Sequence, residues 1–391
     1  MPQTTLDSGL PPTPLYLDKK RFAWLFSVIG PGLSLVGTVA VSFFDVGTWI
    51  LFFPLVFFYG LIPLLDFYLG EDTNNPPESG VPALERDIYY RAITYATIPV
   101  LWVAVIFNCI FLSTQTLSIW AWLATVISTG SVLGFGLNVS HELGHKLGKV
   151  PRKVALLNTA LGAYGHFSIE HNRGHHRHVS TPEDPASSKM GENIYRFACR
   201  EIPGAARRAW HLEADRLNRL GRSAWHPDNE ILQALCLTTL IYGTLIYFYG
   251  LPMVAVLLPV ALWGAFQLTS ANYVEHYGIQ RLKSDNGTYE SCKPHHSWNS
   301  NHLVSNLVLF QLQRHSDHHT HPGRSYQALR DFPNLPRLPS GYFGMFFLAY
   351  IPPLWYRVMD PLLVKTVGGN AQRINFLPSA KNRLMQQYQL Q

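Results

Sequence analysis

Three long stretches of this 391-residue chain contain no lysine or arginine. Residues 22–85, 92–145 and 223–280 hold none of its 31 basic side chains. Each stretch contains two apolar segments of about 20 residues, the length that a helix needs to cross a bilayer. A chain with this pattern is expected to bury those segments in lipid. The six predicted spans are 22–43, 47–69, 93–113, 117–139, 232–250 and 252–274.

The distribution of basic residues also predicts an orientation. If the spans are taken in pairs, all the basic residues fall on one side of the membrane, which the positive-inside rule assigns to the cytoplasm. The cytoplasmic segments are then 71–92, 146–230 and 279–391, and both termini are cytoplasmic. Only 14% of the residues are charged, which agrees with a large lipid-facing surface. The net charge of +6 is explained by this topology and by contact with anionic membrane lipid, with no nucleic-acid partner expected.

The predicted fold is therefore all-α. Residues 1–391 are expected to form a single integral-membrane domain, a six-helix transmembrane bundle with a cytoplasmic helical cap. Two shorter apolar stretches, 153–167 and 341–356, are expected to lie against the membrane or to pack under the bundle. The four cysteines are isolated in the sequence, which predicts neither a disulfide framework nor a cysteine metal site. No cleavage site follows the first apolar segment, so we expect it to be retained.

Nine of the 17 histidines fall into four clusters, all on the predicted cytoplasmic side of the membrane, and two of these clusters lie at the ends of the fourth and sixth spans. His141 and His145 follow the fourth span and, four residues apart, share one face of a helix. In the second cluster, His171 and His175 share a face and His176 is turned about 100° from His175. That separation suits ligands divided between two metals.

The remaining clusters complete the set. His315, His318 and His319 fall within an arc of about 100° on a helix, and His276 stands alone at the end of the sixth span. Nine imidazoles are too many ligands for one ion, so two metals are predicted. Imidazole suits iron, copper and zinc alike, and the residues alone leave the choice open. The other eight histidines lack this spacing and are assigned surface or hydrogen-bonding roles.

Carboxylates beside the clusters are candidates to hold the second nitrogen of a ligating imidazole. The alternative is that they form ordinary salt bridges, for example to Arg173 or Arg314. A second alternative is a zinc protease, because residues 141–145 read H-E-x-x-H, although that site would leave six clustered histidines unused. The predicted supporting carboxylates are Glu142, Glu170, Glu275 and Asp317.

These motifs resemble the histidine boxes of the integral-membrane desaturase and hydroxylase superfamily. HELGHK (141–146), EHNRGHH (170–176), NYVEHYG (272–278) and LQRHSDHH (312–319) are most similar to those of alkane 1-monooxygenases. The resemblance implies that the nine histidines bind two non-haem irons, and that dioxygen hydroxylates the terminal carbon of an n-alkane. It also implies a bacterial inner-membrane location and electrons from rubredoxin, which an NAD(P)H-dependent rubredoxin reductase supplies.

Two further sets of residues are assigned on this basis. Rubredoxins are small and acidic, so Arg173, Arg177 and Lys293 are candidates for docking the electron partner. Phe58 lies 12 residues before Gly70, about 18 Å along the second span, where a bulky side chain can close a substrate channel near mid-bilayer. The alternative is that Phe58, like other aromatic residues of that span, packs or faces lipid.

Competing functions remain open at this point. A membrane desaturase, or a hydroxylase of a fatty acyl, sterol or alkyl-aromatic substrate, carries similar clusters. A metal transporter also gathers histidines in a helical bundle, but along a pathway at mid-membrane rather than at one face.

Overall fold

A computed structural model describes residues 16–390 of the chain, and these residues form helices joined by loops. Within this range there is no extended strand, only isolated bridges such as Glu71 with His302. The predicted cytoplasmic location of the termini involves residues 1–15 and Gln391, which lie outside the described residues. The longest helices, numbered along the chain, are α1 (Arg21–Gly32), α2 (Leu35–Phe43), α3 (Thr48–Leu69), α4 (Ile88–Thr114), α5 (Ile119–Gly144), α6 (Lys149–Leu161), α7 (Ile194–Asn218), α8 (Glu230–Tyr249) and α9 (Pro252–Glu275).

Five of these helices, α3, α4, α5, α8 and α9, are long and apolar enough to cross a membrane. The pair α1 and α2 makes a sixth candidate span, bent by 50° at the break between its two helices. Pro31 lies near the break and has no N–H to donate to the helical ladder, which favours a kink there. The all-helical fold with up to six spans agrees with the prediction, and the bend in the first span is its main departure.

The turn between α8 and α9 is only two residues long. Gly250 adopts a φ of +75°, a left-handed conformation that glycine reaches without steric cost. Pro252 then begins α9, where its missing N–H has no intrahelical partner to lose. Two antiparallel spans can therefore follow each other directly.

Helix α5 lies at the centre of the bundle. In its most apolar segment 67% of the residues are buried, against 11% in α8, which leaves α8 at the periphery. Helix α5 packs most extensively against α9, and glycines allow the close approach. A Cβ atom at Gly134 would lie 2.5 Å from Cβ of Gln267, and one at Gly264 would lie 2.7 Å from Cβ of Leu133.

Helix α3 connects the bundle to the polar cap. Its residues Phe57–Leu61 form a π-helical turn that contains the buried Phe58. Farther along, the buried carboxylate of Asp66 accepts hydrogen bonds from the backbone N–H groups of Val304 (2.9 Å) and Ser305 (3.1 Å). These groups open the short helix Leu303–Val308, so Asp66 satisfies donors that the helix itself leaves unpaired.

The cap consists of α6, α7 and several shorter helices. Helix α6 covers most of the predicted stretch 153–167, and 341–356 forms parts of two helices that are too short to span a bilayer. The shorter helices of the cap and its connections are Val81–Arg86, Phe167–Glu170, Leu303–Val308, His315–Thr320, Tyr342–Ala349, Pro352–Thr366 and Lys381–Gln387.

Candidate metal centre

The nine clustered histidines come together at the C-terminal ends of α5 and α9, under the cap. They form two groups, and within each group one nitrogen of every histidine lies within 4.8 Å of the others. Each group could therefore hold one metal ion. Group one contains His141, His145, His171, His176 and His318, and group two contains His175, His276, His315 and His319.

The distances between nitrogens fit metal ligation. In group one the Nε2 atom of His318 lies 2.8 Å from Nε2 of His141 and 3.1 Å from Nε2 of His176. In group two the Nε2 atom of His315 lies 2.8 Å from Nε2 of His319 and 3.2 Å from Nε2 of His276. Two nitrogens bound at right angles, each about 2.1 Å from a metal, are about 3.0 Å apart.

The two groups are neighbours. The rings of His176, in group one, and His319, in group two, have centroids 4.5 Å apart. Those of His315 and His318 are 5.7 Å apart although they belong to different groups. Two metal ions held in these groups would form a single binuclear centre.

The histidines of the second cluster are not divided between the two groups in the way that an α-helix would predict. His171 and His175 were expected to share a face, but residues His171–His175 form a π-helical turn. Hydrogen bonds between residues five apart widen this turn, and Nε2 of His171 lies 3.0 Å from Nε2 of His176. His171 and His176 therefore share group one, while His175 points into group two.

Burial prepares the imidazoles to bind a metal. His171, His318 and His319 are buried. Burial, together with neighbouring imidazoles, holds their pKa values well below the usual range. A neutral ring keeps a lone pair for a metal at physiological pH.

Asp184 orients His175, and sequence reasoning did not assign it this role. Its Oδ2 atom lies 2.9 Å from Nδ1 of His175 and accepts a hydrogen bond of 2.7 Å from Ser187 Oγ. Its Oδ1 atom accepts a hydrogen bond of 2.7 Å from Arg208. Such a contact holds the ring so that Nε2 faces the metal site. The only hint in the sequence is that Asp184 follows the second cluster closely.

Of the four predicted supporting carboxylates, Glu275 is the one in contact with a clustered histidine. Its Oε2 atom lies 3.3 Å from Nε2 of His315, the nitrogen that faces the rest of group two, and not from the second nitrogen that it was expected to hold. The other three form ion pairs, as the alternative interpretation expected, although not with Arg173 or Arg314. Their partners are Lys146 for Glu142 (2.8 Å), Arg208 for Glu170 (2.9 Å), and Arg324 for Asp317 (2.8 Å).

A third cluster, Glu290, His295 and His296, also brings three potential ligands together. Here Glu290 is already paired with Lys293 (3.1 Å) and Arg373 (3.4 Å). Nδ1 of His296 accepts a hydrogen bond from the backbone N–H of Lys293, while its Nε2 faces Glu290. These contacts engage Glu290 and both ring nitrogens of His296, in keeping with a hydrogen-bonding role for His296, while His295 lies exposed at the surface.

Comparison with known proteins places the chain in a family. Residues 117–349 match the sequence model of the fatty acid desaturase family. The chain is 50% identical to alkane 1-monooxygenase 1 of Alcanivorax borkumensis over 95% of its length and 92% of that protein. It is 50% identical to alkane 1-monooxygenase of Pseudomonas putida over 97% of its length and 94% of that protein. The chain belongs to the alkane 1-monooxygenase family.

A more distant relative has a different named substrate. The chain is 29% identical to the hydroxylase component of xylene/toluene monooxygenase from Pseudomonas putida, over 57% of its length and 59% of that protein. All these relatives are named as monooxygenases, and this member of the alkane 1-monooxygenase family is accordingly an oxidoreductase.

An apolar cavity of about 40 Å³ lies inside the bundle on the membrane side of the metal centre. Asn138 and Leu312 line it, each three residues before a clustered histidine. Phe135 and Phe343 also line it, and Phe58 packs on both with ring centroids 5.2 Å and 5.9 Å away. In this family member Phe58 thus faces the bundle interior rather than lipid.

The three predicted docking residues differ in their surroundings. Arg173 is paired with the buried Glu213 (3.0 Å), and Lys293 with Glu290. Arg177 directly follows the second histidine cluster, is exposed and forms no ion pair within residues 16–390. Arg177 is therefore the least neutralised of the three.

Proposed function

We propose that this chain hydroxylates the terminal carbon of n-alkanes to give primary alcohols, using dioxygen and two electrons from reduced rubredoxin. The arrangement that supports this most directly is the pair of histidine groups beneath an apolar cavity. The named activity of the relatives agrees with it. The proposed ligands of two non-haem irons are the nine histidines of the two groups.

The chemistry of the substrate favours this assignment. A terminal methyl group offers no acid, base or electrophile for a side chain to act on, so an oxidising metal is required. The bound irons would supply that oxidising power by activating dioxygen. Imidazole donors suit iron, and the buried site keeps water away from the reaction. Asp184 keeps His175 turned toward its group.

The cavity supports an alkane as the substrate. Its walls are largely apolar and include Phe135, Leu312 and Phe343, so they offer little to a polar headgroup. At about 40 Å³ the cavity has room for only the first carbons of an alkane, whose terminal carbon would point toward the histidines while the rest of the chain extends between the helices. Phe58 would limit how far the rest of the chain extends away from the centre.

We further propose that the cap and both termini face the cytoplasm of a bacterial inner membrane. There the basic surface, with a chain net charge of +6, would meet rubredoxin, itself reduced by an NAD(P)H-dependent reductase. Arg177 is proposed as the main docking residue, and Arg173 and Lys293 as secondary contacts. Attraction between a basic and an acidic surface increases the rate of association.

A fatty acyl, sterol or alkyl-aromatic substrate is the alternative. The similarity to a xylene/toluene monooxygenase component favours the alkyl-aromatic substrate among these alternatives and names xylene as the compound to test. Supplying octane, xylene and an acyl lipid to the same preparation separates these substrates by their products.

The test uses purified, iron-loaded protein in lipid vesicles with octane, dioxygen and reduced rubredoxin. We expect 1-octanol as the product and about two irons per chain. His318→Ala removes a group-one ligand and should abolish product and lower the iron content, whereas His211→Ala, an exposed histidine of α7, should change neither. One zinc per chain, or xylene oxidation without octanol, would refute the proposal.

A further inference from the structure

Glu201 is a buried acid on α7 that plays no part in the metal centre described above. Only 2% of its surface is exposed. Oε2 accepts a hydrogen bond from Thr269 Oγ1 (2.7 Å), and Oε1 accepts one from Asn272 Nδ2 (3.2 Å), both on α9. Within residues 16–390 it forms no ion pair, unlike the neighbouring carboxylates of Glu170 and Asp184.

Glu201 faces a small polar cavity next to the metal centre. The cavity also touches His171 and His175, one from each histidine group. Tyr164 is 5% exposed, and among the described residues its hydroxyl has no hydrogen-bond partner; Nε2 of His166 is likewise buried and has none there. The volume, about 10 Å³, is close to the minimum for one water molecule, which needs two to four polar partners.

The surroundings favour the protonated form of Glu201. Burial raises its pKa to about 7, and the carboxylates of Glu170 and Asp184 add to the rise, although the hydrogen bonds from Thr269 and Asn272 oppose it. Arg208 lies on the same helix, but its guanidinium is engaged by Glu170 and Asp184. The acid can therefore hold and release a proton near physiological pH.

Hydroxylation needs a supply of protons. One dioxygen, one R–H, two electrons and two protons give R–OH and one water, with dioxygen as the oxidant and the electron-transfer protein as the reductant. Imidazoles bound to metal through Nε2 are not available to carry protons at that nitrogen. The walls of the substrate cavity on the other side are largely apolar and include no acidic or basic side chain.

We propose that Glu201 is a proton-relay residue, passing protons through a water held with Tyr164 and His166 toward the oxygen atom that leaves as water. Glu201 gives one proton for each electron delivered and regains it from the side of His166. A larger cavity of about 150 Å³, lined by Gly165 and Ser168 on either side of His166, offers the route from the surface. The inference rests on the proposed function.

The first arm of the test uses the metal-free protein and does not depend on turnover. In infrared titration, the difference between the unsubstituted protein and Glu201→Gln should be the C=O stretch of one buried carboxylic acid that disappears with a midpoint near pH 7. Glu201→Gln, which is isosteric, should remove this band. Asp215→Asn, an exposed acid on the same helix, should leave it in place. A band unchanged in Glu201→Gln would refute the protonated acid and the relay with it.

The second arm measures octanol formation and the solvent isotope effect with the iron-loaded protein. Glu201→Gln should slow turnover by about 100-fold, the scale of a lost acid–base group, with unchanged iron content and a changed solvent isotope effect. Thr269→Val removes one hydrogen bond to Glu201 but keeps the carboxyl group, and should stay within a few-fold of the unsubstituted protein. That variant separates loss of packing from loss of the proton donor.

The outcomes distinguish the two proposals. Normal octanol production by Glu201→Gln would overturn the relay and leave the proposed function intact. Equal slowing in Glu201→Gln and Thr269→Val, with the same solvent isotope effect, would assign Glu201 a structural role and also overturn the relay. If the unsubstituted protein makes no octanol, the proposed function fails and the relay falls with it.

Discussion

Replacing Phe58 by leucine should lengthen the alkanes that the protein accepts. Phe58 is fully buried on the π-helical turn of α3. Its ring stacks on Phe343 with an interplanar angle of 14°, and it also packs on Phe135. Because both neighbours line the apolar cavity, shortening this side chain opens space continuous with that cavity. Leucine keeps part of the packing, whereas alanine at a buried phenylalanine costs about 3–5 kcal/mol of stability.

The expected magnitude follows from the burial of methylene groups. Each CH₂ transferred from water to an apolar site contributes about 0.8 kcal/mol, which is about a fourfold change in kcat/KM. If Phe58→Leu admits two more methylenes, kcat/KM for the longer alkane should rise about 15-fold relative to octane. Activity on octane itself should stay close to that of the unsubstituted protein, because the metal centre is untouched.

The assay supplies an equimolar mixture of n-alkanes from octane to hexadecane and measures the alcohols formed. Phe53→Leu is the matched control, because the ring of Phe53 contacts Phe57 (6.0 Å) on the same helix and does not line the cavity. The control should leave the product distribution unchanged. An unchanged product distribution in Phe58→Leu as well, with normal iron content and melting temperature, would show that another residue limits the length of the bound alkane.

Three further changes test other contacts. Asp184→Asn should weaken iron binding by about 10–100-fold in chelator competition, because the Nδ1 atom of His175 loses its carboxylate; unchanged affinity would contradict this. Arg177→Gln should raise KM for rubredoxin at low salt and have little effect at high salt, where screening removes the attraction; a salt-independent effect would exclude electrostatic docking. Gly134→Ala should lower the melting temperature, since its Cβ meets Gln267 and overpacking costs about 1–3 kcal/mol; an unchanged melting curve would show that α5 and α9 separate readily.

The spans and the histidine clusters could be predicted because both leave strong marks in the sequence. A span requires about 20 apolar residues and excludes charge. Two of the clusters directly follow a span, and the other two are short runs that contain three histidines each. The group to which each histidine belongs could not be predicted. The division between His175 and His176 depends on a π-helical turn, and nothing in the local pattern separates such a turn from an α-helix.

The partners of individual carboxylates could not be predicted from the sequence either. Glu142 stands between two clustered histidines and was an obvious candidate to support one, yet it is paired with Lys146, one turn later on the same face. Asp184 lies in an irregular loop, where no periodicity indicates the direction of a side chain. Its role depends on how that loop folds back toward His175, and therefore on tertiary packing.

The peripheral position of α8 has a consequence for how the sequence can vary. A helix that contacts mainly acyl chains is selected for hydrophobicity and length, and almost any apolar residue meets that requirement. Helix α5 must instead match α9 atom by atom while it positions His141. In a library of substitutions, the outward residues of α8 should accept exchanges among leucine, isoleucine, valine and phenylalanine. Replacement of the glycines of α5 by any of these residues should be lost under selection for growth on alkane. Tolerance of substitutions should therefore follow contact with lipid more closely than distance from the metal centre.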